Sequence, residues 1–304
     1  MRKLTNKLFI SILTVAFAVI ALGTTTFAWF TLSNTATVSP FNATVTAGQG
    51  IEISLDQTNW YTTLTEAKIE EFLFAAGTGK YASTFKLDLV TSTDGLAFTL
   101  MDGATGVNEA AGTHYIKFTL YFRSKDDTDI APKIYWNNAT ITSTGKQWTA
   151  DASFTDAVGA TTPSVTAGDA NLPRYAANAA RISIKGGADN PVIYELAENF
   201  DSKGNTVLGQ KSKAELEALT AGQKSYNAAK GVVQTVPAGA AIPNTVTDPA
   251  DLDNNELITL TGAAKNWTGS VSVVIWLEGW DQNAFNAILD DTLSIGLVFK
   301  NTNA

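Results

Sequence analysis

Tyr115-Ile-Lys-Phe-Thr-Leu-Tyr-Phe122, Ser270-Val-Ser-Val-Val-Ile-Trp276 and Leu293-Ser-Ile-Gly-Leu-Val-Phe299 alternate apolar and polar side chains with a period of two. A pleated backbone turns successive side chains to opposite faces, so this alternation marks strands that keep one face in a core. Ile51-Glu-Ile-Ser-Leu55, Phe85-Lys-Leu-Asp-Leu89, Lys133-Ile-Tyr-Trp136 and Arg181-Ile-Ser-Ile184 repeat the pattern in shorter form. With a strand after residue 40 they number about eight, divided by Gly, Asn and Asp turns. The expected fold is mainly β, an antiparallel jelly-roll-like sandwich with short helical insertions.

Two segments break the alternation toward helix. Thr63-Leu-Thr-Glu66 offers a cap for a short helix reaching about Ala76, and Ser212-Lys-Ala-Glu215 has the spacing of a capping box. The stretches 143–178 and 231–254, rich in Gly, Ala, Thr and Pro, show neither period and are expected to be loops. Residues 41–304 therefore read as one sandwich domain carrying a loop and helix insertion at about 186–255.

Of 304 residues, 45% are hydrophobic and only 16% charged, with 21 basic against 29 acidic side chains and a net charge of −8. Removing residues 1–28, with Arg2, Lys3 and Lys7, leaves 18 basic against 29 acidic, a net of −11. Such a surface repels phosphate backbones, so no nucleic-acid partner is expected. Cysteine is absent, which excludes disulfides, thiolate metal sites and a cysteine nucleophile.

The first 28 residues place a basic stretch before an apolar run from Leu8 to Leu22, and close on Phe27-Ala28. That is the layout of a secretory signal peptide, and the run falls short of the roughly 20 residues that span a bilayer. Thr26 and Ala28 set the cut between Ala28 and Trp29. Membrane contact is then expected only through the leader before cleavage, and an uncleaved N-terminal anchor is the other reading. After Phe299-Lys-Asn-Thr-Asn-Ala304 no sorting motif or apolar tail is read, so sortase linkage is not expected.

The stretch Gly23-Thr-Thr-Thr-Phe-Ala-Trp-Phe-Thr-Leu-Ser-Asn-Thr-Ala-Thr-Val-Ser39, followed by Asn42-Ala-Thr-Val-Thr-Ala-Gly48, resembles the N-terminus of the TasA/camelysin group. Those are exported Gram-positive surface and biofilm-matrix proteins whose leaders are trimmed by a SipW-type signal peptidase. Near the other end, Val274-Ile-Trp-Leu-Glu-Gly-Trp-Asp281 and Asn286-Ala-Ile-Leu289 resemble the closing segment of related surface proteins. The resemblance implies a secreted or cell-surface protein, a SipW-type peptidase as partner, and fibres as the assembled form. Camelysin-type members are described as metalloproteases, and no residue here carries that activity over.

Chemistry is sparse in the residues themselves. His114 is the only histidine, so neither an H-E-x-x-H zinc site nor a second base is available, and no G-x-S-x-G elbow occurs. The carboxylate pairs Glu278 with Asp281 and Glu195 with Glu198 have the residue types for glycoside hydrolysis. The plainer reading makes Trp276 core and Glu278-Gly279-Trp280-Asp281 a turn. Asp248, Asp251, Asp253 and Glu256 place oxygen ligands at loop spacing for Ca²⁺, against the alternative of a solvated acidic loop. No other cofactor and no enzymatic activity are expected.

Cleavage at Ala28 exposes Trp29-Phe-Thr-Leu-Ser-Asn-Thr-Ala-Thr-Val38, with Phe30, Leu32, Ala36 and Val38 on one strand face. Beyond Pro40 the apolar parity shifts to Phe41, Ala43, Val45 and Ala47, which marks Pro40 as a hinge. One reading donates residues 29–38 to a neighbouring copy, giving a head-to-tail homopolymer; the other keeps them in their own sheet. The rival function is a secreted monomeric adhesin or carbohydrate-binding module using Trp60, Trp267 and Trp280.

Overall fold

The computed structural model describes residues 41–48, 50–82, 85–100, 114–127, 129–155, 164–187, 190–196, 226, 228–230, 245–279, 281, 283–284, 286–288 and 291–301. The leader, the Ala28–Trp29 junction, Phe30, Leu32, Ala36, Val38, Pro40, and the Ser212 capping box lie outside them.

β1 (Phe41–Ala47) buries Ala43 and Val45, and β2 (Ile51–Ser54) follows a turn in which Gly50 holds a φ of 82°. β3 (Thr63–Leu64) leads into α1 (Glu66–Phe74), whose Ile69 and Leu73 stand one turn apart and enter the core together. The cap of α1 is Thr65 rather than Thr63, and Thr65 makes no side-chain capping bond; Thr63 is a strand residue. Next come β4 (Leu89–Thr91), β5 (Thr99–Leu100), β6 (Ile116–Ser124) and β7 (Lys133–Ser143).

The expected loop at 143–178 instead contains β8 (Lys146–Trp148), β9 (Phe154–Thr155), β10 (Ser164–Val165) and β11 (Leu172–Arg174). They pair as two small antiparallel ribbons, β8 with β11 and β9 with β10, around a separate cluster of Ala150, Ala152, Phe154, Val165, Tyr226 and Ala287. Strands of two or three residues are too short to display a period, which is why composition alone reads them as loop.

β12 (Ala180–Gly186) and β13 (Val192–Glu195) are followed by α2 (Pro249–Leu252), β14 (Glu256–Thr259), β15 (Thr261–Ala263), β16 (Asn266–Glu278) and β17 (Leu293–Asn301). The expected insertion at 186–255 thus begins with a strand of the sandwich, β13, and its loop at 231–254 ends in a helix.

Among the described residues the first sheet runs β14-β7-β17-β1-β3. The second is built around β16, with β12 then β13 on one flank and β6 then β2 on the other. β15 and the β4–β5 pair join the two ends of β16. Most contacts are antiparallel, as expected. Two strand pairs are parallel, β1 with β17 and the short contact of β4 with β16, and Tyr194 makes an isolated parallel bridge to Val246.

Phe118, Leu120 and Phe122 from β6 and Ile295, Leu297 and Phe299 from β17 fill the interior between the sheets. Phe122 and Phe299 meet edge to face, ring centroids 5.1 Å apart. Each such ring contributes about 1.5–3 kcal/mol by leaving water. β16 is buried on both faces toward its end. Val273, Ile275 and Leu277 face the main core, while Val274 and Trp276 pack with Val90, Phe98, Tyr115 and Ile193 on the outer face. The sheets close upon each other at Gly186, where an added Cβ would collide with the Leu257 carbonyl and with Ile258.

Phe85-Lys-Leu-Asp-Leu89 keeps its alternating burial without forming the expected strand; only Leu89 enters β4. Phe85 stacks on Phe74 and meets Tyr81 at a tilt, while Asp88 N–H donates to His114 C=O at 2.9 Å and Phe85 N–H to Ala82 C=O at 2.9 Å. Burial period and ladder pairing are separate properties of an extended chain.

Candidate functional site

Among the described residues the first sheet presents an incomplete edge. β17 borders β1 along its full length, from Phe41 opposite Leu293 to Ala47 opposite Phe299. On the other side β3 covers only Val45 and Thr46, and Ala47 N–H donates to Thr62 C=O at 2.9 Å. Residues 41–44 have no ladder partner on that side among the described residues. An unpaired row of N–H and C=O groups is a template for an added strand. The covalent neighbour of this edge is Pro40, the expected hinge. At the opposite border, β14 is covered instead, because Leu257 and Ile258 are pressed onto Gly186 of the second sheet.

A second assembly is buried rather than open. The register opposes Arg181 of β12 to Glu195 of β13 on one side and to Trp276 of β16 on the other. Arg181 Nε donates to Glu195 Oε2 at 2.8 Å, and Nη1 lies 2.6 Å from Glu278 Oε2. Trp276 Nε1–H also donates to Glu278 Oε2, at 3.1 Å, and Thr245 Oγ1 donates to Glu195 Oε1 at 2.5 Å. Asp281 joins from the following turn, where its Oδ1 accepts from Asn283 N–H at 2.8 Å. All four charged side chains belong to buried residues.

Burial pushes the Asp281 carboxyl up to about 7, with hydrogen bonds from Asn283 and the nearby Arg181 acting against it. Burial likewise raises Glu195, opposed by Arg181. Three acids around one guanidinium, shut away from solvent, hold strands together and present no carboxylate to a sugar. The expected core position of Trp276 is found. Asp281 N–H donates to Glu278 C=O at 3.1 Å, the bond expected of a turn, but both acids face inward. Glu198 and Trp280 lie outside the described residues. Arg181 escaped the sequence reading; the available signal was an arginine within an otherwise apolar strand.

The four Ca²⁺ candidates are dispersed into other duties. Asp248 caps α2, its Oδ1 accepting from Ala250 N–H at 2.9 Å, and Asp251 lies in the first turn of that helix. Asp253 pairs with Lys300 at 2.5 Å and Glu256 with Lys133 at 2.7 Å. Lysine ammonium groups already supply the positive charge at two of the four. Among the described residues no three His, Cys, Asp or Glu side chains gather as a metal site.

His114 Nδ1 sits 2.5 Å from Asp88 Oδ2, a pair that is mostly buried. Burial raises the Asp88 carboxyl, opposed by the imidazole. Of the aromatic residues proposed for an adhesin, Trp267 is 7% exposed and serves the core. Trp60 is partly exposed and lies under the Arg123 guanidinium, 4.5 Å from its ring centroid. Beside it a shallow cleft of about 230 Å³ is lined by Asp56, Asn59, Tyr61, Lys68, Glu71 and Phe72, among others. Lys68 occupies the face of Tyr61 at 4.2 Å.

Comparison of the chain with protein-family models, with curated proteins and with solved structures finds no match.

Proposed function

We propose that this chain is an extracellular structural protein, the subunit of a surface filament or biofilm-matrix fibre assembled by β-strand donation. The observation that carries this reading is the outer edge of β1, which over residues 41–44 has no ladder partner among the described residues and is covalently continuous with the segment 29–40. Residues 29–38 of one copy add to that edge of the next, with Phe30, Leu32, Ala36 and Val38 on the face turned to the core. Ser39-Pro40 separates the donated strand from β1, and the missing N–H of Pro40 interrupts the ladder between them.

Donation of this kind is heterologous and propagates when successive rotations do not close a ring. The resemblance to the TasA/camelysin group supports the same assembly, the same secreted location and release by a SipW-type peptidase. A chain deleted for residues 29–38 is expected to elute as a folded monomer in size-exclusion chromatography, while the intact mature chain moves to large assemblies. Fibres from the deleted chain in negative-stain micrographs refute strand donation.

A further inference from the structure

Beside the smaller core, Asp151 gathers three side chains. Tyr226 Oη donates to Asp151 Oδ1 at 2.9 Å and lies 3.2 Å from Oδ2. Lys230 Nζ donates to Oδ2 at 3.1 Å, and Asn286 Nδ2 donates to the same Oδ2 at 3.3 Å. One carboxylate oxygen therefore has an amine and a carboxamide as neighbours, brought from segments far apart in the chain. Trp148, Phe154 and Tyr226 form the adjoining wall, with ring centroids 5.4–6.0 Å apart. The Lys230 side chain is only 16% exposed. The other carboxamide atom, Asn286 Oδ1, is buried with no hydrogen-bond partner. A buried carbonyl left unpaired is destabilising and calls for a reason.

We propose that Lys230 and Asn286 become joined by an intramolecular isopeptide bond, with Asp151 moving the protons. Asp151 Oδ2 takes a proton from the Lys230 ammonium, and the freed lone pair on Nζ attacks Asn286 Cγ. A turn of the carboxamide about Cβ–Cγ exchanges its nitrogen and oxygen, so that protonated Asp151 donates to Oδ1 and polarises the carbonyl. The new Nζ–Cγ bond forms as the Cγ–Nδ2 bond breaks. The departing nitrogen collects the Asp151 proton and one from the attacking amine, and leaves as ammonium. One ammonium and one carboxamide become one secondary amide and one ammonium ion; nothing is oxidised or reduced.

Holding amine and carboxamide against one carboxylate makes the attack unimolecular and removes the entropic cost of bringing the two groups together. The product ties the segment at Lys230 to the 3₁₀ turn at Asn286–Ile288 that precedes β17. In a chain with no cysteine it supplies a covalent brace of another chemistry.

The test is peptide mapping by mass spectrometry of the full secreted chain. The expected result is one branched tryptic peptide containing both Lys230 and Asn286, uncut after Lys230, with a mass about 17 Da below the sum of its parts through loss of ammonia. Asp151→Asn, which keeps an acceptor for Tyr226, and Lys230→Arg should each return two linear peptides. Linear peptides from the unaltered chain overturn the proposal. So does the same mass deficit persisting in Lys230→Arg, which would place the ammonia loss at another group.

Discussion

Replacing Arg181 by Met tests the buried charge cluster most directly. The substitution keeps an unbranched apolar side chain of similar reach and removes the single positive charge facing Glu195, Glu278 and Asp281. Breaking a buried pair by deleting one partner costs about 3–5 kcal/mol, because the remaining charges lose both water and counter-ion. Against a total stability of about 5–15 kcal/mol this is a large fraction. It corresponds to a fall in Tm of about 6–20 °C. Urea titration followed by tryptophan emission is the assay, since the Trp276 indole donates directly to Glu278.

The pH dependence has a definite sign. Asp281, ordinarily 3.8, is pushed up to about 7 by burial, so between those values the folded chain holds a proton that the unfolded chain releases. Stability of the unaltered protein therefore falls as pH rises through that window, by up to about 1.4 kcal/mol per pH unit, and levels off above it. Glu195 acts in the same direction. Without Arg181 both carboxyls move further up, so the penalty of Arg181→Met should be greater at pH 8 than at pH 5. An unchanged urea midpoint, or a penalty equal at both pH values, refutes the cluster as drawn.

Asp291 is buried and accepts from Thr144 Oγ1, Gly145 N–H, Ala176 N–H and Thr292 N–H at 2.7–2.9 Å. Asp291→Ala should cost about 3 kcal/mol or more by stranding several buried donors, seen as a lower urea midpoint with little change in slope. Gly186→Ala drives a methyl group into the Leu257 carbonyl and Ile258 and should cost about 1–3 kcal/mol, measured in the same titration.

The sequence displayed strands wherever alternation ran long enough to be seen. β6, β16 and β17 hold the three longest alternating stretches, and each runs on past the last residue quoted, to Ser124, Glu278 and Asn301, where flanking residues pair without adding to the pattern. Leu87 shows the converse, a buried residue of an alternating run that lies outside any strand. Arg181 and Glu195 become partners only through a register that local pattern does not encode, as do Lys230, Asp151 and Asn286. The parallel contact of β1 with β17 joins residues near opposite ends of the described chain, beyond the reach of any window.

That last pairing also determines how the fold answers to tension. In a parallel ladder the hydrogen bonds are evenly spaced and slant across the gap between the strands. Pulling backward on the start of β1 and forward on the end of β17 slides one strand along the other, so the rungs from Phe41–Leu293 to Ala47–Phe299 share the load together rather than opening one by one. A chain drawn at its two ends would meet its stiffest contact first.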